Sequence, residues 1–355
     1  MSSPNLDTSE ALARLDPGGM LASVAALPDQ CRQAWAAADE IQPLGEAIDK
    51  VVVLGMGGSA IAGDIWRMLL QRESAIPVFN VRQYDLPPFV DERTLVIASS
   101  YSGNTEETLS AFEQALATPA KKLAITSGGK LLTIARANGV PTFTYEFDGE
   151  PRAAIGWGLM SLLALSRRQG WMPEVHRDVD EAILVMETLR GDVGQDVPTD
   201  QNEAKTLATR LFEKLPIVYA GLPLTEVAHR WKSQLNESAK VWSFHDELPE
   251  LHHNSIVGIA LPKQIAASTL VVLLGSGDLV HRRVRMRYDF TRKQLAKAGV
   301  ETADVESRGT SALAQMMSLI LFGDYVSTYL ALLYEVDPQP TDVIEELRDW
   351  LATRS

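Results

Sequence analysis

Between residues 50 and 145 short β-branched apolar runs alternate with longer stretches of helical period, and that alternation admits few folds. Val51–Leu54, Val78–Val81, Thr94–Ala98, Leu123–Thr126 and Thr142–Tyr145 read as strands. Helices are expected over Ser59–Leu70, Thr105–Leu116 and Lys130–Ala137, which makes one doubly wound parallel unit. Gly149 and Pro151 punctuate residues 147–153, so the unit ends there.

Amphipathic helices follow over roughly 154–168 and 177–190, with another after Pro198-Thr-Asp-Gln-Asn202. A second alternation opens with Ile217–Ala220 and a helix to about Asn236. It continues with strands near Ser255–Ala260 and at Leu270–Leu274 and a helix over Arg283–Lys297. Trp242–Leu251 is too apolar for a free linker and reads as an ordered loop. Helices over Thr310–Tyr334 and Thr341–Leu351 close the chain. The fold class is therefore α/β, with two doubly wound domains whose parallel sheets are flanked by helices. The expected segments are an N-terminal helical arm (1–45), a first sheet domain (46–150), connecting helices (151–200) and a second sheet domain with the C-terminal helices (201–355). Val51-Val-Val-Leu-Gly and Ile217-Val-Tyr-Ala-Gly open the two domains alike, either as an internal repeat or as two unrelated strand–helix units.

Charge removes several functions. The 355 residues carry 33 Lys plus Arg against 46 Asp plus Glu, a net charge of −13, so the basic footprint that binds phosphate backbones or anionic lipid is missing. No nucleic-acid or membrane partner is expected. Apolar runs such as Ala312–Phe322 fall short of the ~20 residues of a membrane span. The opening Met1-Ser-Ser-Pro-Asn-Leu-Asp does not read as a signal peptide. A single cysteine, Cys31, fits a reducing compartment, and a cytoplasmic location is expected.

Gly55-Met-Gly-Gly-Ser59 lies between a strand and a helix, where glycines let backbone amides approach an anion. A dinucleotide loop needs a third glycine where Ala60 stands and an acid about 20 positions on, and none occurs before Asp85. A nucleoside-triphosphate loop needs Gly-Lys-Ser/Thr, but Gly129-Lys130 is followed by Leu131. The third reading joins the next strand's loop. Gly58, Ser59, Ser100, Ser102 and Thr105 together make a neutral cup of hydroxyls and amides for a phosphate monoester. The plainer alternative is helix capping by Ser59 and Thr105.

These residues resemble the sugar isomerase (SIS) domain, and further segments resemble the bifunctional phosphoglucose/phosphomannose isomerase family. They are Gly55–Ala60 with Gly63-Asp64, Ser100–Thr108, Pro151-Arg152-Ala, Leu235-Asn-Glu237, Pro249–Asn254 and Gly323–Ala331. The resemblance runs from about residue 50 to the C-terminus. It implies two SIS domains, no metal or other cofactor, and a homodimer with its active sites at the subunit interface. It further implies interconversion of glucose 6-phosphate and mannose 6-phosphate with fructose 6-phosphate. By resemblance Ser59, Ser100, Ser102 and Thr105 bind the phosphate, Arg152 is an active-site arginine, Glu237 the base, and His253 a ring-opening histidine lent by the neighbouring subunit. Thr341 matches a substrate-side threonine. Arg348 stands where the family usually carries a lysine, and arginine cannot give up a proton at working pH.

Aldose–ketose isomerisation moves one proton between adjacent carbons through a cis-enediolate. It needs a carboxylate reaching both carbons, a group that opens the ring, and positive charge for the intermediate. Glu237 at a helix end, His253 and Arg152 supply one of each, against the plainer readings of an exposed glutamate, a packed histidine (more readily His252) and an arginine paired with Glu150 or Asp148. His245, Asp246, Glu247, Glu250, His252 and His253 crowd one stretch but lack a His-Glu-x-x-His spacing, so no metal is expected. The rival from another class is a SIS-fold regulator that binds phosphosugar without turning it over.

Overall fold

Strands of a parallel sheet are covered on both faces and need apolar residues at every position. Lys50–Leu54 (β1) meets that demand with Val51, Val52, Val53 and Leu54 all buried. The structure, a computed structural model, describes residues 6–45 and 47–354. Met1–Asn5 of the opening read above therefore lie outside the described residues. Packing divides the chain into two compact units, Ala26–Glu187 with Gly309–Met317, and Met1–Ala25 with Thr188–Arg308 and Ser318–Ser355. Helices Ser9–Leu15 (α1) and Met20–Ala25 (α2) belong to the second of these, and Leu27–Ala37 (α3) to the first.

In the Ala26–Glu187 unit, β1 is joined by Val78–Val81 (β2), Thr94–Ser100 (β3), Lys121–Thr126 (β4) and Thr142–Thr144 (β5) in one parallel sheet of order β2-β1-β3-β4-β5. The chain runs outward from β1 to β2 and then returns past β1 to β3. The carboxyl ends of β1 and β3, where the order switches, are therefore neighbours. Crossovers are made by Gly57–Leu70 (α4), Glu106–Leu116 (α5) and Gly129–Ala137 (α6). Ile155–Arg168 (α7) is buried along most of its length, and Val175–Val193 (α8) follows.

The other unit repeats the plan. Glu203–Leu211 (α9), Leu215–Gly221 (β6), Thr225–Glu237 (α10), Phe244–Leu248 (β7), Lys263–Ser268 (α11), Thr269–Gly275 (β8), Arg282–Ala298 (α12) and Glu301–Glu306 (β9) build a parallel sheet of order β7-β6-β8-β9. That is the order of the first four strands of the other sheet, as a repeat requires. Ala312–Leu333 (α13) and Asp342–Ala352 (α14) complete the chain.

Three expectations need correcting. The stretch expected as an ordered loop contains β7, paired in register with β6 from Ile217 opposite Phe244 to Gly221 opposite Leu248. Ser255–Ala260, expected as a strand, instead forms a short 3-10 turn over Ser255–Val257 and further turns, with Ile256 and Ile259 packed on the core and Val257 exposed. The apolar run at Ala312 does not stop at Phe322. α13 is 22 residues long and apolar enough to cross a membrane, but the whole of its apolar window is buried within the protein. A helix buried all round has no polar face to keep.

Candidate active site

Two loops meet at the switch point of the five-stranded sheet. A β-carbon on Gly55 would lie 3.0 Å from the Ser99 carbonyl oxygen, and Ser59 Oγ accepts a hydrogen bond from the Tyr101 amide at 3.3 Å. In the β3 loop, Ser100 Oγ lies 2.9 Å from Thr105 Oγ1 and accepts from Gly103 N at 3.1 Å, while Ser102 Oγ accepts from Asn104 N at 3.2 Å. Side-chain capping is not what these hydroxyls do. Ser59 sits inside the first turn of α4, and Thr105, although at the cap position of α5, makes no side-chain cap bond. Gly58, Ser59, Ser100, Ser102 and Thr105 are thus gathered on two touching loops, with Ser100 buried and Ser102 exposed.

A third loop that sequence reasoning treated only as a helix start braces this cup. Ser127 donates through its amide and its hydroxyl to the Tyr101 carbonyl, at 3.1 and 2.7 Å. Leu131 N reaches the Gly103 carbonyl at 2.9 Å, and Lys130 N reaches Asn104 Oδ1 at 3.1 Å. Gly103 has φ +63°, and a β-carbon there would come within 1.9 Å of the Gly128 carbonyl oxygen, so only glycine fits. The signal was available in Ser127-Gly-Gly129, a second glycine pair at the end of a strand.

Arg152 lies in a 3-10 turn, Pro151–Ala153, packed against the glycine loop. A β-carbon on Gly58 would meet the Pro151 carbonyl oxygen at 3.0 Å and Arg152 Cα at 3.3 Å. The arginine is 4% exposed and pairs with Glu150 at 3.1 Å, the pairing anticipated as its plainer role. Gln30 on α3 holds the C-terminal end of this turn to the start of α7, donating to the Ala153 carbonyl at 3.0 Å and accepting from Gly156 N at 2.7 Å. The Tyr101 hydroxyl donates to the Phe147 carbonyl at 2.7 Å and lies 3.1 Å from that of Gly149. One cation is therefore held beside the cup by its own backbone neighbours.

In the other unit Glu237 is the last residue of α10 and half-buried. With Asn236, Lys240, Thr341 and Ile344 it lines a cavity of about 710 Å³. Lys240 was not anticipated. Its ammonium donates to the Glu237 carbonyl at 2.5 Å and the Pro340 carbonyl at 2.5 Å, tying the end of α10 to the residue before Thr341. Arg348 is exposed on α14 and is not in the lining. Nor is His253, which ends the 3-10 turn Glu250–His253 with its side chain exposed. His252 is the packed histidine. Its ring nitrogens meet Thr291 Oγ1 at 2.8 Å and Arg287 at 3.1 Å, and its ring lies edge-on to Phe290. Burial, then the Arg287 charge, lowers its pKa from the usual value.

A family model for the SIS domain matches residues 47–138, and one for the bacterial phospho-glucose isomerase C-terminal SIS domain matches residues 200–351. A protein of Caldicellulosiruptor bescii named bifunctional phosphoglucose/phosphomannose isomerase is 43% identical over 336 residues, covering 94% of this chain and 99% of the relative. The chain belongs to the bifunctional phosphoglucose/phosphomannose isomerase family. A family member from Aquifex aeolicus is 37% identical over 85% of this chain and 90% of its own length. Among solved structures, a glucose-6-phosphate isomerase-like protein from Thermus thermophilus shares the fold of this isomerase family member at TM-score 0.64 and 20% identity, covering 96% of this chain and 99% of that one. The C-terminal domain of glucosamine-fructose-6-phosphate aminotransferase from Francisella tularensis shares it at TM-score 0.70 and 13% identity, over 90% and 98%.

Proposed function

We propose that the protein interconverts glucose 6-phosphate and mannose 6-phosphate with fructose 6-phosphate through a cis-enediolate. The observation that most supports the reading is the gathering of Ser59, Ser100, Ser102 and Thr105 on two touching loops of a chain whose relatives carry that name. Hydroxyl and amide donors grip a phosphate monoester without activating it, which suits an enzyme that leaves the phosphate untouched. His253, lent by a second copy, opens the ring. Glu237 takes the proton from C2 of the open aldose and returns it to C1, while the hydroxyl proton moves from O2 to O1. Arg152 neutralises the enediolate, and Thr341 faces the sugar near C2. The family lysine is replaced by Arg348, and Lys240 supplies the ammonium of the Glu237 cavity as a strut between carbonyls.

With a net charge of −13 the chain repels an anionic substrate at long range, so attraction is local to the cup and Arg152. A homodimer in the cytoplasm completes the proposal. Cys31 fits a reducing compartment as an inert core thiol, its pKa pushed up to about 12 by burial.

The test is Glu237→Gln, which keeps shape and removes the base. Loss of about 10²–10⁴ in kcat with both aldose phosphates is expected. Fructose 6-phosphate formed at near wild-type rate would discard Glu237 as base. Tight binding of hexose phosphates with no turnover by the wild-type protein would favour the sensing rival instead.

A further inference from the structure

The chain that leaves α10 turns through Lys240, whose φ of +56° lies in the left-handed region where a β-carbon is crowded and glycine or asparagine is the usual occupant. What recommends a lysine there is its side chain. The ammonium donates to three carbonyl oxygens, those of Glu237 and Pro340 at 2.5 Å and that of Pro338 at 3.4 Å. Glu237 ends α10, and the last carbonyls of a helix have no amide partner and favour a cation. Pro338 and Pro340 stand between α13 and α14 and have no amide of their own to tie that segment down. An ammonium offers three donors from one compact centre, which suits three converging oxygens, whereas a guanidinium spreads its donors in a flat fork.

The two pieces that Lys240 joins are anchored in different places. The body of α10 is fixed to α13 by the buried Arg230–Asp324 pair at 2.6 Å and by Trp231 Nε1, which donates to the Leu319 carbonyl at 2.8 Å. The proline segment is held through Gln339, whose side chain donates to the Gly18 carbonyl at 2.6 Å and whose amide donates to Asp337 at 2.9 Å. Lys240 bridges these two anchorages, and Glu237, Lys240, Pro340 and Thr341 all line one cavity. The length of the lysine strut therefore sets how far the end of α10 stands from Thr341.

We infer that Lys240 is a positioning residue that holds Glu237 and Thr341 at one spacing and so fixes which C2 epimer the protein favours. The inference rests on the proposed function, in which Glu237 works at C2 and Thr341 faces that carbon. Glucose 6-phosphate and mannose 6-phosphate differ only in configuration at C2, and loss of the C2 proton brings both to the same cis-enediolate. In the reverse direction the proton returns to C2, and the aldose formed depends on which face of that carbon is turned to the carboxylate. Room between Glu237 and Thr341 governs that choice. A braced spacing favours one face, and slack admits the other.

Fructose 6-phosphate is given to the wild-type protein and to each variant, and the two aldose phosphates are measured at early times, before either reacts back. Lys240→Asn removes the ammonium and suits the left-handed backbone, and Lys240→Met removes it while keeping the apolar stem. In both, the initial ratio of the two products is expected to move by roughly three- to tenfold toward the aldose that the wild-type protein disfavours. Lys240→Arg, with its charge kept and its donors in a fork, is expected to fall between. Loss of folded protein lowers both products together and leaves their ratio alone, so the ratio reads position and not stability. An unchanged ratio in either Lys240→Asn or Lys240→Met, whatever the total rate, would overturn the inference and leave the substrate reading standing. A wild-type protein that makes neither aldose removes that reading, and this inference with it.

Discussion

Arg152 is a cation kept from water, and a guanidinium so placed keeps its strength only where its donors are used. Its backbone is fixed by Gln30 and by the glycine loop, so the side chain has little freedom left to lose when a substrate arrives. Arg152→Ala is expected to raise KM for hexose 6-phosphates roughly 10- to 100-fold, the worth of a hydrogen bond to a charged group. Arg152→Lys is expected to recover only part of this, because an ammonium lacks the planar fork. Steady-state kinetics on both variants check the pair, and unchanged constants in Arg152→Ala would remove the arginine from the site. Gly58 belongs to the same arrangement: any β-carbon there pushes on the Arg152 backbone.

Among the elements, α13 starts on two supports, one of them local, where Ser311 Oγ accepts from Ala314 N at 3.2 Å as a cap three residues ahead. The other comes from α8, where Glu181 holds the two residues that lead into the helix, accepting from Thr310 N at 2.7 Å, Ser311 N at 2.9 Å and the Thr310 hydroxyl at 2.6 Å. An anion at a helix N-terminus satisfies orphan amides and opposes the helix dipole. Glu181→Gln is expected to cost about 1 kcal/mol, read as a fall of roughly 2 °C in the thermal midpoint. Such a cap joins residues 129 positions apart, and spacing rules see only neighbours. The central strands were legible because β1, β3 and β8 are buried at nearly every position and each carries an unbroken run of four or five apolar residues. β7 (Phe244-His-Asp-Glu-Leu) and β9 (Glu301-Thr-Ala-Asp-Val-Glu) escaped because both stand at sheet edges, where polar residues are tolerated. In β9 the buried Ala303 and Val305 do alternate with polar neighbours, a period-two signal that was readable. The site followed the same rule. Loop hydroxyls adjacent in sequence were found, whereas Gln30, Ser127 and Lys240, which act across long separations, were not.

Taken over the whole molecule, His245 and Glu181 are the two groups whose pKa values fall furthest, and His252, Asp7, Asp49 and Asp91 are lowered in the same direction by less. His245 on β7 stacks on His229 with ring centroids 4.7 Å apart and planes 9° from parallel. Partial loss of water around the ring, then the neighbouring His229, brings its pKa from 6.5 down to about 4, and since the residue keeps an exposed edge its effect on stability is screened by solvent and small. For Glu181, burial alone would raise the pKa, but the bonds from Thr310 and Ser311 prevail and bring it from 4.5 down to about 2. Both groups bind protons more readily in the unfolded chain, so both make stability fall as pH falls. The histidine acts between pH 6.5 and about 4, where folding must keep the ring neutral; the glutamate acts from 4.5 toward 2, where its anion is needed. The thermal midpoint is therefore expected to decline in two stages below pH 6.5. His245→Gln should make the upper stage shallower, leaving the share of His252, and spare the lower, while Glu181→Gln should make the lower stage shallower and spare the upper. Melting curves recorded at half-unit intervals decide this. A wild-type midpoint that stays level from pH 6.5 to 4 would mean that His245 is as free to take a proton in the folded protein as in the unfolded one.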